Sequence, residues 1–279
     1  MLKDGMSELD AGVEAIGPGP RRGCEADATA MPILMYHSLD TSGSVVSVPP
    51  ADFAAQMACL ADMGFRGVSL REAVAHREAR GRWPDQSAVL TFDDGYASVY
   101  EHGLPILARH DFSATVFLVS GFVGGQNDWA PSPAGLGIRA TVTWDQVAEM
   151  AAAGVEIGAH THTHPDLRRL SEALVEQEMA TSRTEIESHV LRPVESFAYP
   201  FGGVDTVATR VAGRQFRTAC TTMLQRVTDE PLHLLPRVDA YYLRSLRDFG
   251  RLVSGKLDHY LTLRRWGRSV RTALRRGSS

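Results

Sequence analysis

Residues 88–95 read Ala-Val-Leu-Thr-Phe-Asp-Asp-Gly, an apolar run that ends in two adjacent carboxylates and a glycine. Such a run is typical of a short buried strand, so the two aspartates should lie where the strand ends. In a continuing strand their side chains would point to opposite faces. Gly95 permits a bend at this point, so one carboxylate can bind a metal ion while the other stays unligated near a water molecule.

A second apolar run leads into a cluster of histidines. Residues 155–158 (Val-Glu-Ile-Gly) precede residues 160–164 (His-Thr-His-Thr-His), and a proline closes the cluster. We expect His160 and His164 to converge on one ion, and alternation predicts a different direction for His162. Two imidazoles and one carboxylate form a three-ligand set that leaves coordination positions for water and substrate. The two segments together predict a hydrolytic metal centre.

Apolar runs alternate with amphipathic segments along the body of the chain, which indicates an α/β fold with a parallel sheet. The simplest such architecture is a barrel, whose chemistry lies at the C-terminal ends of its strands. The predicted strands cover 32–36, 67–70, 88–92 and 114–119, and the predicted helices cover 51–63, 96–109 with an interruption at Pro105, 144–153, and 171–190 with Leu174, Val175, Met179, Ser182 and Ile186 on one face.

Composition sets limits on the class of protein. A chain of 279 residues with 44% hydrophobic content can bury one substantial core. The net charge of -4 gives no general case for a nucleic-acid partner, so none is predicted. The three cysteines, Cys24, Cys59 and Cys220, are odd in number and widely spaced, which argues against a disulfide framework or a zinc knuckle.

The order and spacing of these motifs resemble those of the polysaccharide deacetylase family, the carbohydrate esterases of family 4 that share a NodB-homology domain. The likeness covers residues 31–239. It implies a distorted (β/α) barrel of about seven parallel strands. It also implies that Asp93 is the catalytic base and Asp94 a metal ligand, and that His160 and His164 supply the other two ligands.

Residues 196–202 (Ser-Phe-Ala-Tyr-Pro-Phe-Gly) resemble the family's third motif, whose backbone after the proline helps to hold the oxyanion. On this basis Tyr199 is a candidate catalytic residue. The arginine that many members carry in this motif is missing here, and we expect Arg237 to replace it as the charge partner of the base. The late Leu-x-His motif that supplies a general acid is also missing, so the acid is either His37 or His233, of which we favour His37.

The resemblance implies a metal-dependent hydrolase that removes N-acetyl or O-acetyl groups from a carbohydrate. Zinc is the expected ion, although a site of two histidines and one aspartate accepts other divalent metals. Two alternatives remain open. One is a non-catalytic glycan-binding relative, suggested by the missing acid and arginine. The other is a non-haem iron enzyme with two histidines and a carboxylate, although such an enzyme has no need of the free carboxylate Asp93.

Residues 121–140 form a long loop rich in glycine and proline that contains Phe122 and Trp129. Long loops in compact domains are often functional. If the resemblance holds, these aromatic rings can stack on sugar rings. Alternatively, they pin the loop to the barrel.

The predicted organisation is a flexible lead-in at 1–30, a catalytic domain at 31–243, and a C-terminal helix with a basic tail at 244–279. The N-terminal region has no apolar stretch long enough for a signal peptide or a membrane span, which predicts cytoplasmic residence. The tail carries six arginines after Asp258 and no acid, so it either makes weak peripheral membrane contact or remains solvated. The arginines are Arg264, Arg265, Arg268, Arg271, Arg275 and Arg276.

Overall fold

The computed structural model describes residues 30–129, 137–258 and 260–261. The predicted lead-in before residue 30 and the arginines of the predicted basic tail lie outside these described residues. The strands are β1 (Ile33–Tyr36), β2 (Arg66–Val68), β3 (Ser87–Phe92), β4 (Thr115–Leu118), β5 (Glu156–Ala159), β6 (Ser196–Ala198), β7 (Thr218–Cys220) and β8 (Val238–Asp239). The α-helices are α1 (Pro50–Asp62), α2 (Leu70–Arg80), α3 (Leu104–Arg109), α4 (Trp144–Ala152), α5 (Glu172–Val190), α6 (Thr206–Gln215) and α7 (Leu246–Val253).

All strand pairs of the sheet are parallel, and seven strands follow the order β7-β6-β5-β4-β3-β1-β8. The short strand β2 pairs with the beginning of β3. The segment that precedes β8 bridges to β7 at Cys220 and Leu235, while β8 itself pairs with β1. The chain thus links both ends of the strand order and curls the sheet. This confirms the predicted distorted barrel of about seven parallel strands.

The strands form where the sequence is apolar without alternation, because helices cover one face of the sheet and the barrel interior covers the other. Strand β3 is buried at all six positions, and β1 at all four. Helix starts follow the capping rules: Ser69 and Thr143 each form a capping box with the residue three positions later. The helix predicted at 144–153 begins after Thr143, which confirms its predicted start.

Two helical predictions need correction in detail. The segment predicted as one interrupted helix at 96–109 begins as a π-helical turn, Val99–Gly103, and continues as α3. Pro105 lies in the first turn of α3, where its missing N–H group costs no hydrogen bond. In α5 the buried face consists of Val175, Met179, Ser182 and Ile186 as predicted, whereas the Leu174 side chain is 47% exposed.

Helix α7 begins the predicted C-terminal segment and packs against α1. Its side chains Phe249, Leu252 and Val253 belong to the same hydrophobic core as the strands. The start of this segment is therefore part of the barrel's packing. None of the helices within the described ranges is long and apolar enough to cross a bilayer.

A buried carboxylate joins the first residues of three neighbouring strands. Glu156 begins β5 and is 4% exposed. It accepts hydrogen bonds from the Thr115 hydroxyl at 2.8 Å, the Ser196 hydroxyl at 2.6 Å and the Arg71 amide at 2.8 Å. These contacts tie β4, β5, β6 and α2 together at the N-terminal end of the barrel.

We expect Glu156→Ala to lower the free energy of unfolding by about 2–4 kcal/mol, because it leaves buried donors without an acceptor. Urea denaturation at neutral pH measures this loss. Glu101→Ala, at an exposed helical position, is the matched control and should stay within about 0.5 kcal/mol of the parent. Equal unfolding midpoints for both variants would contradict the structural role of Glu156.

Candidate metal centre

Polar side chains gather where the parallel strands end. Asp93 and Asp94 directly follow β3, and His160 directly follows β5. These ends meet at the C-terminal rim of the barrel, where sites of this architecture form. The bend after β3 begins one residue earlier than the sequence suggested, since Asp94 itself has a φ of 72° and Gly95 follows at 62°. This backbone geometry interrupts the strand alternation at the aspartate pair.

The structure brings together the three predicted ligands, Asp94, His160 and His164, all buried. The Asp94 Oδ1 atom lies 3.5 Å from His160 Nε2 and 3.4 Å from His164 Nε2. In a tetrahedral site with bonds of about 2.0–2.1 Å, ligand atoms are separated by roughly 3.4 Å. The two measured separations therefore fit a divalent ion bound by two nitrogens and one oxygen.

The orientation of His160 and the pKa of His164 suit metal binding. His160 Nδ1 lies 2.7 Å from the Ala198 carbonyl oxygen, which can only accept, so Nδ1 carries a hydrogen and Nε2 is the ring nitrogen that faces Asp94. Burial lowers the pKa of His164 to about 4, although the Asp94 carboxylate opposes this effect. The Nδ1 atom of His164 is buried without a hydrogen-bond partner in the described part of the chain. A neutral His164 is the form that a cation requires.

The loop between the two histidines has an unusual backbone. Thr161 has a φ of 66° and His164 a φ of 60°, both in the left-handed region. For a β-branched residue such as Thr161 this conformation is a genuine outlier. The Thr161 hydroxyl accepts a hydrogen bond from the His164 amide at 3.0 Å and donates to the His160 carbonyl at 2.5 Å. These bonds connect the two histidines through the threonine.

Asp93 forms a buried, bidentate ion pair with Arg237, at 2.6 Å and 2.7 Å. The Arg237 side chain is fully buried and also donates to the Thr221 carbonyl and the Thr91 hydroxyl. Burial alone would raise the pKa of Asp93, but the charge and hydrogen bonds of Arg237, together with the nearby His160 and His37, outweigh burial and hold that pKa well below its usual range. Asp93 thus remains ionised and lies outside the ligand group. Arg237 is thus paired with Asp93, the pairing that we expected from the sequence.

The two candidate acids lie in different parts of the barrel. His37 follows β1, and its Nε2 lies 4.0 Å from Asp93 Oδ2 at the rim. His233 Nε2 lies 2.9 Å from the carbonyl oxygen of Phe216, which precedes β7. That position is near the N-terminal end of the sheet. The geometry favours His37 as the residue near the reacting groups.

The backbone amides of the third motif differ in whether they already form hydrogen bonds. The Tyr199 amide donates to the Cys220 carbonyl, and its hydroxyl donates to the His233 carbonyl at 3.0 Å. Because both of its donors are engaged, the geometry does not support a direct catalytic role for Tyr199. The amides of Gly202 and Gly203 also donate to backbone carbonyls. The Phe201 amide has no acceptor among the described residues, so it is the donor of this turn that remains for an oxyanion.

Two aromatic rings lie against His164, and the sequence did not predict either contact. The Trp129 ring is 3% exposed and lies 5.1 Å from the His164 ring, so this aromatic residue of the long loop packs against the metal centre. The Phe201 ring lies 4.7 Å from the same ring, and the residue is 43% exposed. Its φ of 58° lies in the left-handed region. His162 points away from the centre as predicted, with Nδ1 3.1 Å from the Ser120 hydroxyl and 3.2 Å from Glu185.

Residues 80–216 match the family model described as polysaccharide deacetylase. A Bacillus subtilis protein named "Putative polysaccharide deacetylase YxkH" is 28% identical over 201 residues, 72% of this chain and 65% of the relative. The Staphylococcus aureus poly-beta-1,6-N-acetyl-D-glucosamine N-deacetylase is 25% identical over 165 residues, 56% of this chain and 54% of the relative. The chain therefore spans a little over half to just under two thirds of the length of these relatives.

A solved structure has the same fold. The Streptococcus pyogenes deacetylase PplD in complex with acetate matches with a TM-score of 0.70 and 25% identity, over 80% of this chain and 98% of that one. The residues matched by the family model include both aspartates and the histidine loop, and end before Arg237.

We expect Asp94→Ala, His160→Ala and His164→Ala each to lower the bound divalent metal, because each removes one of three ligands. Metal content after reconstitution and desalting is measured by mass spectrometry. Asp93→Asn is the matched control, since it alters a neighbouring carboxylate outside the ligand group and should retain the metal. Full metal content in all three alanine variants would refute this assignment of ligands.

Arg237→Met should move the acidic limb of the pH–activity profile to higher pH. Without the guanidinium, burial raises the pKa of Asp93, so the carboxylate is protonated at pH values where the parent keeps it ionised. Arg237→Lys retains a charge but loses the two-pronged contact, so its shift should be smaller. The measurement is kcat/KM against pH, and an acidic limb that stays in place in both variants would exclude electrostatic control of Asp93 by Arg237.

Proposed function

This chain belongs to the polysaccharide deacetylase family, and on that basis we propose that it is a metal-dependent hydrolase that removes acetyl groups from a carbohydrate. The observation that carries the proposal is the pairing of two distinct sets of groups at one rim. One set is the three-ligand group of Asp94, His160 and His164. The other is Asp93, a carboxylate that is not part of the ligand group and that Arg237 keeps ionised.

The donor set supports zinc as the bound ion, although other divalent metals also accept two imidazoles and a carboxylate. A metal held there would supply Lewis acidity toward the acetyl carbonyl and toward water. His160 would be fixed for this role by its hydrogen bond to Ala198, and His164 by the packing of Trp129 and Phe201. The same ligand set occurs in non-haem iron enzymes, but Asp93 would have no role in that chemistry.

In the proposed reaction Asp93 accepts a proton from the attacking water. Arg237 holds the carboxylate through two hydrogen bonds. These bonds keep the Asp93 carboxylate in a fixed orientation during the proton transfer. The developing negative charge on the acetyl oxygen would be stabilised by the free amide of Phe201. His37 would then protonate the leaving nitrogen or oxygen, since it is the histidine of the rim that lies beside Asp93.

We propose an N-acetylated amino sugar as the substrate class, with O-acetyl groups as the second possibility. Support comes from the name of the Staphylococcus aureus relative, which acts on poly-beta-1,6-N-acetyl-D-glucosamine. A non-catalytic glycan-binding role was suggested by the missing arginine and acid. Arg237 and His37 weaken that reading, because each offers the required group at the rim.

The test is release of acetate by metal-reconstituted protein from a panel that includes chitooligosaccharides and acetylated xylan. We expect release from N-acetylated substrates, and a loss of roughly 100-fold or more in Asp93→Asn, the scale of losing a general base. Binding of the glycans without release of acetate would favour the non-catalytic alternative. Equal release by the parent and Asp93→Asn would remove Asp93 from the chemistry.

His37→Ala should remove the alkaline limb of the pH–rate profile while the metal stays bound, because that limb reports the proton donor. His233→Ala is the control, and its profile should keep the limb. The same two variants distinguish the outcomes: loss of the limb in His233→Ala alone would transfer the acid role to His233. Unchanged profiles in both would assign protonation to water or to another residue.

We further propose cytoplasmic residence, with at most weak, salt-sensitive membrane contact through the basic tail. The proposed membrane contact rests on the arginine-rich sequence after Asp258 and on the absence of acids there. Sedimentation with anionic vesicles should retain more of the full chain than of a version ending at Tyr260. Equal binding by both, or binding that high salt does not reduce, would contradict a role for the tail.

A further inference from the structure

The loop that carries His160 and His164 contacts helix α5 through one carboxylate. Glu178 Oε2 accepts hydrogen bonds from the His162 amide at 2.9 Å and the Thr163 amide at 2.8 Å. Its Oε1 accepts a hydrogen bond from the Thr163 hydroxyl at 2.7 Å. A single side chain thus binds two of the three residues that lie between His160 and His164. Hydrogen bonds to an ionised carboxylate are stronger than those to a neutral acceptor.

The opposite side of the loop is held by the segment that follows β4. The Ser120 amide donates to the Thr161 carbonyl at 3.2 Å, and the Gly121 amide donates to the His162 carbonyl at 3.0 Å. A Cβ atom on Gly121 would lie only 2.8 Å from that carbonyl oxygen, so the close approach requires glycine. The loop is therefore held between amides on one side and the Glu178 carboxylate on the other.

The position of Glu178 is itself fixed by the core. Its neighbours Val175 and Met179 are fully buried on the inner face of α5, and α5 packs against β5, which leads into His160. The carboxylate is consequently presented from a rigid element. The loop that it contacts contains two left-handed residues, Thr161 and His164, which the free chain would populate poorly.

We propose that Glu178 is a positioning residue that fixes the histidine loop in its metal-binding conformation and thereby raises the affinity for a divalent ion. This inference rests on the proposed metal centre. Glu178 is not one of the three candidate ligands. It acts through the backbone of His162 and Thr163, as partners of metal ligands commonly do when they orient a site.

Glu185 offers a matched control on the same helix. Its carboxylate lies 3.2 Å from the His162 ring nitrogen, so it contacts a side chain of the loop, and within the described part of the chain it accepts no hydrogen bond from the loop backbone. Removal of its charge should leave the loop backbone in place. Glu178→Gln provides the conservative variant, because its amide oxygen can still accept from the loop but carries no charge.

The experiment titrates chelator-treated parent, Glu178→Ala, Glu178→Gln and Glu185→Gln with Zn²⁺ alone, in competition with a chromophoric chelator. The unfolding midpoint of each protein is measured with and without the ion. We expect Kd to rise roughly 10- to 100-fold in Glu178→Ala, the range for loss of a residue that orients ligands. Glu178→Gln should show a smaller rise, and Glu185→Gln should stay within about twofold of the parent, because it keeps the Glu178 contacts with the loop backbone.

A Kd for Glu178→Ala within twofold of the parent would overturn the proposal. So would a variant whose metal-free midpoint falls while the metal-induced rise in midpoint is unchanged, because that result describes a purely structural residue. If Glu178→Ala fails to fold, Glu178→Gln decides on the same criteria. If the unsubstituted parent does not bind Zn²⁺, the proposed function is overturned as well. Weaker binding in the Glu178 variants alone leaves the proposed function standing.

Discussion

The buried ion pair between Asp93 and Arg237 is the interaction on which the rest of the site depends. A lone carboxylate at this depth would take up a proton, since burial disfavours its charged form. The guanidinium opposes that effect with two short hydrogen bonds and is itself held by Thr221 and Thr91. Such pairs seldom add net stability, because desolvation of both ions offsets their attraction. The pair is therefore better understood as an arrangement that keeps the buried Asp93 carboxylate ionised.

The acidic groups at the rim of the barrel fall into two separate sets. Asp94 and the two histidines form a group whose separations suit an ion, and Asp93 is kept out of that group by its arginine. The sharp bend at Asp94 makes this division possible, because adjacent carboxylates on a regular strand would face opposite sides. Aromatic rings and the helix α5 then restrict how far the histidine loop can move. These contacts therefore stabilise the positions of His160 and His164.

Much of this arrangement could be predicted from sequence, and the limits have physical reasons. Apolar runs ending in Asp-Asp-Gly and in the histidine cluster predicted the strands β3 and β5, since buried parallel strands read as continuous hydrophobic segments. The role of Tyr199 could not be judged, because the partners of its amide and hydroxyl lie at Cys220 and His233, far along the chain. Glu178 gave no signal, since an acid on an amphipathic helix usually faces solvent.

The large sequence separation between Asp93 and Arg237 affects how the barrel folds. Asp93 and Arg237 are 144 residues apart in sequence, and the arginine arrives with the segment that joins β7 to β1. Until that segment docks, the interior of the barrel contains an aspartate without its counter-charge, which a partly folded chain would tolerate only by protonating or hydrating it. Contacts of such long sequence separation are slow to form, because loop-closure entropy must be paid first. Docking of the last strand and pairing of Asp93 with its counter-charge are thus one event, so a partly synthesised chain that lacks this strand also lacks the ion pair that keeps Asp93 ionised inside the barrel.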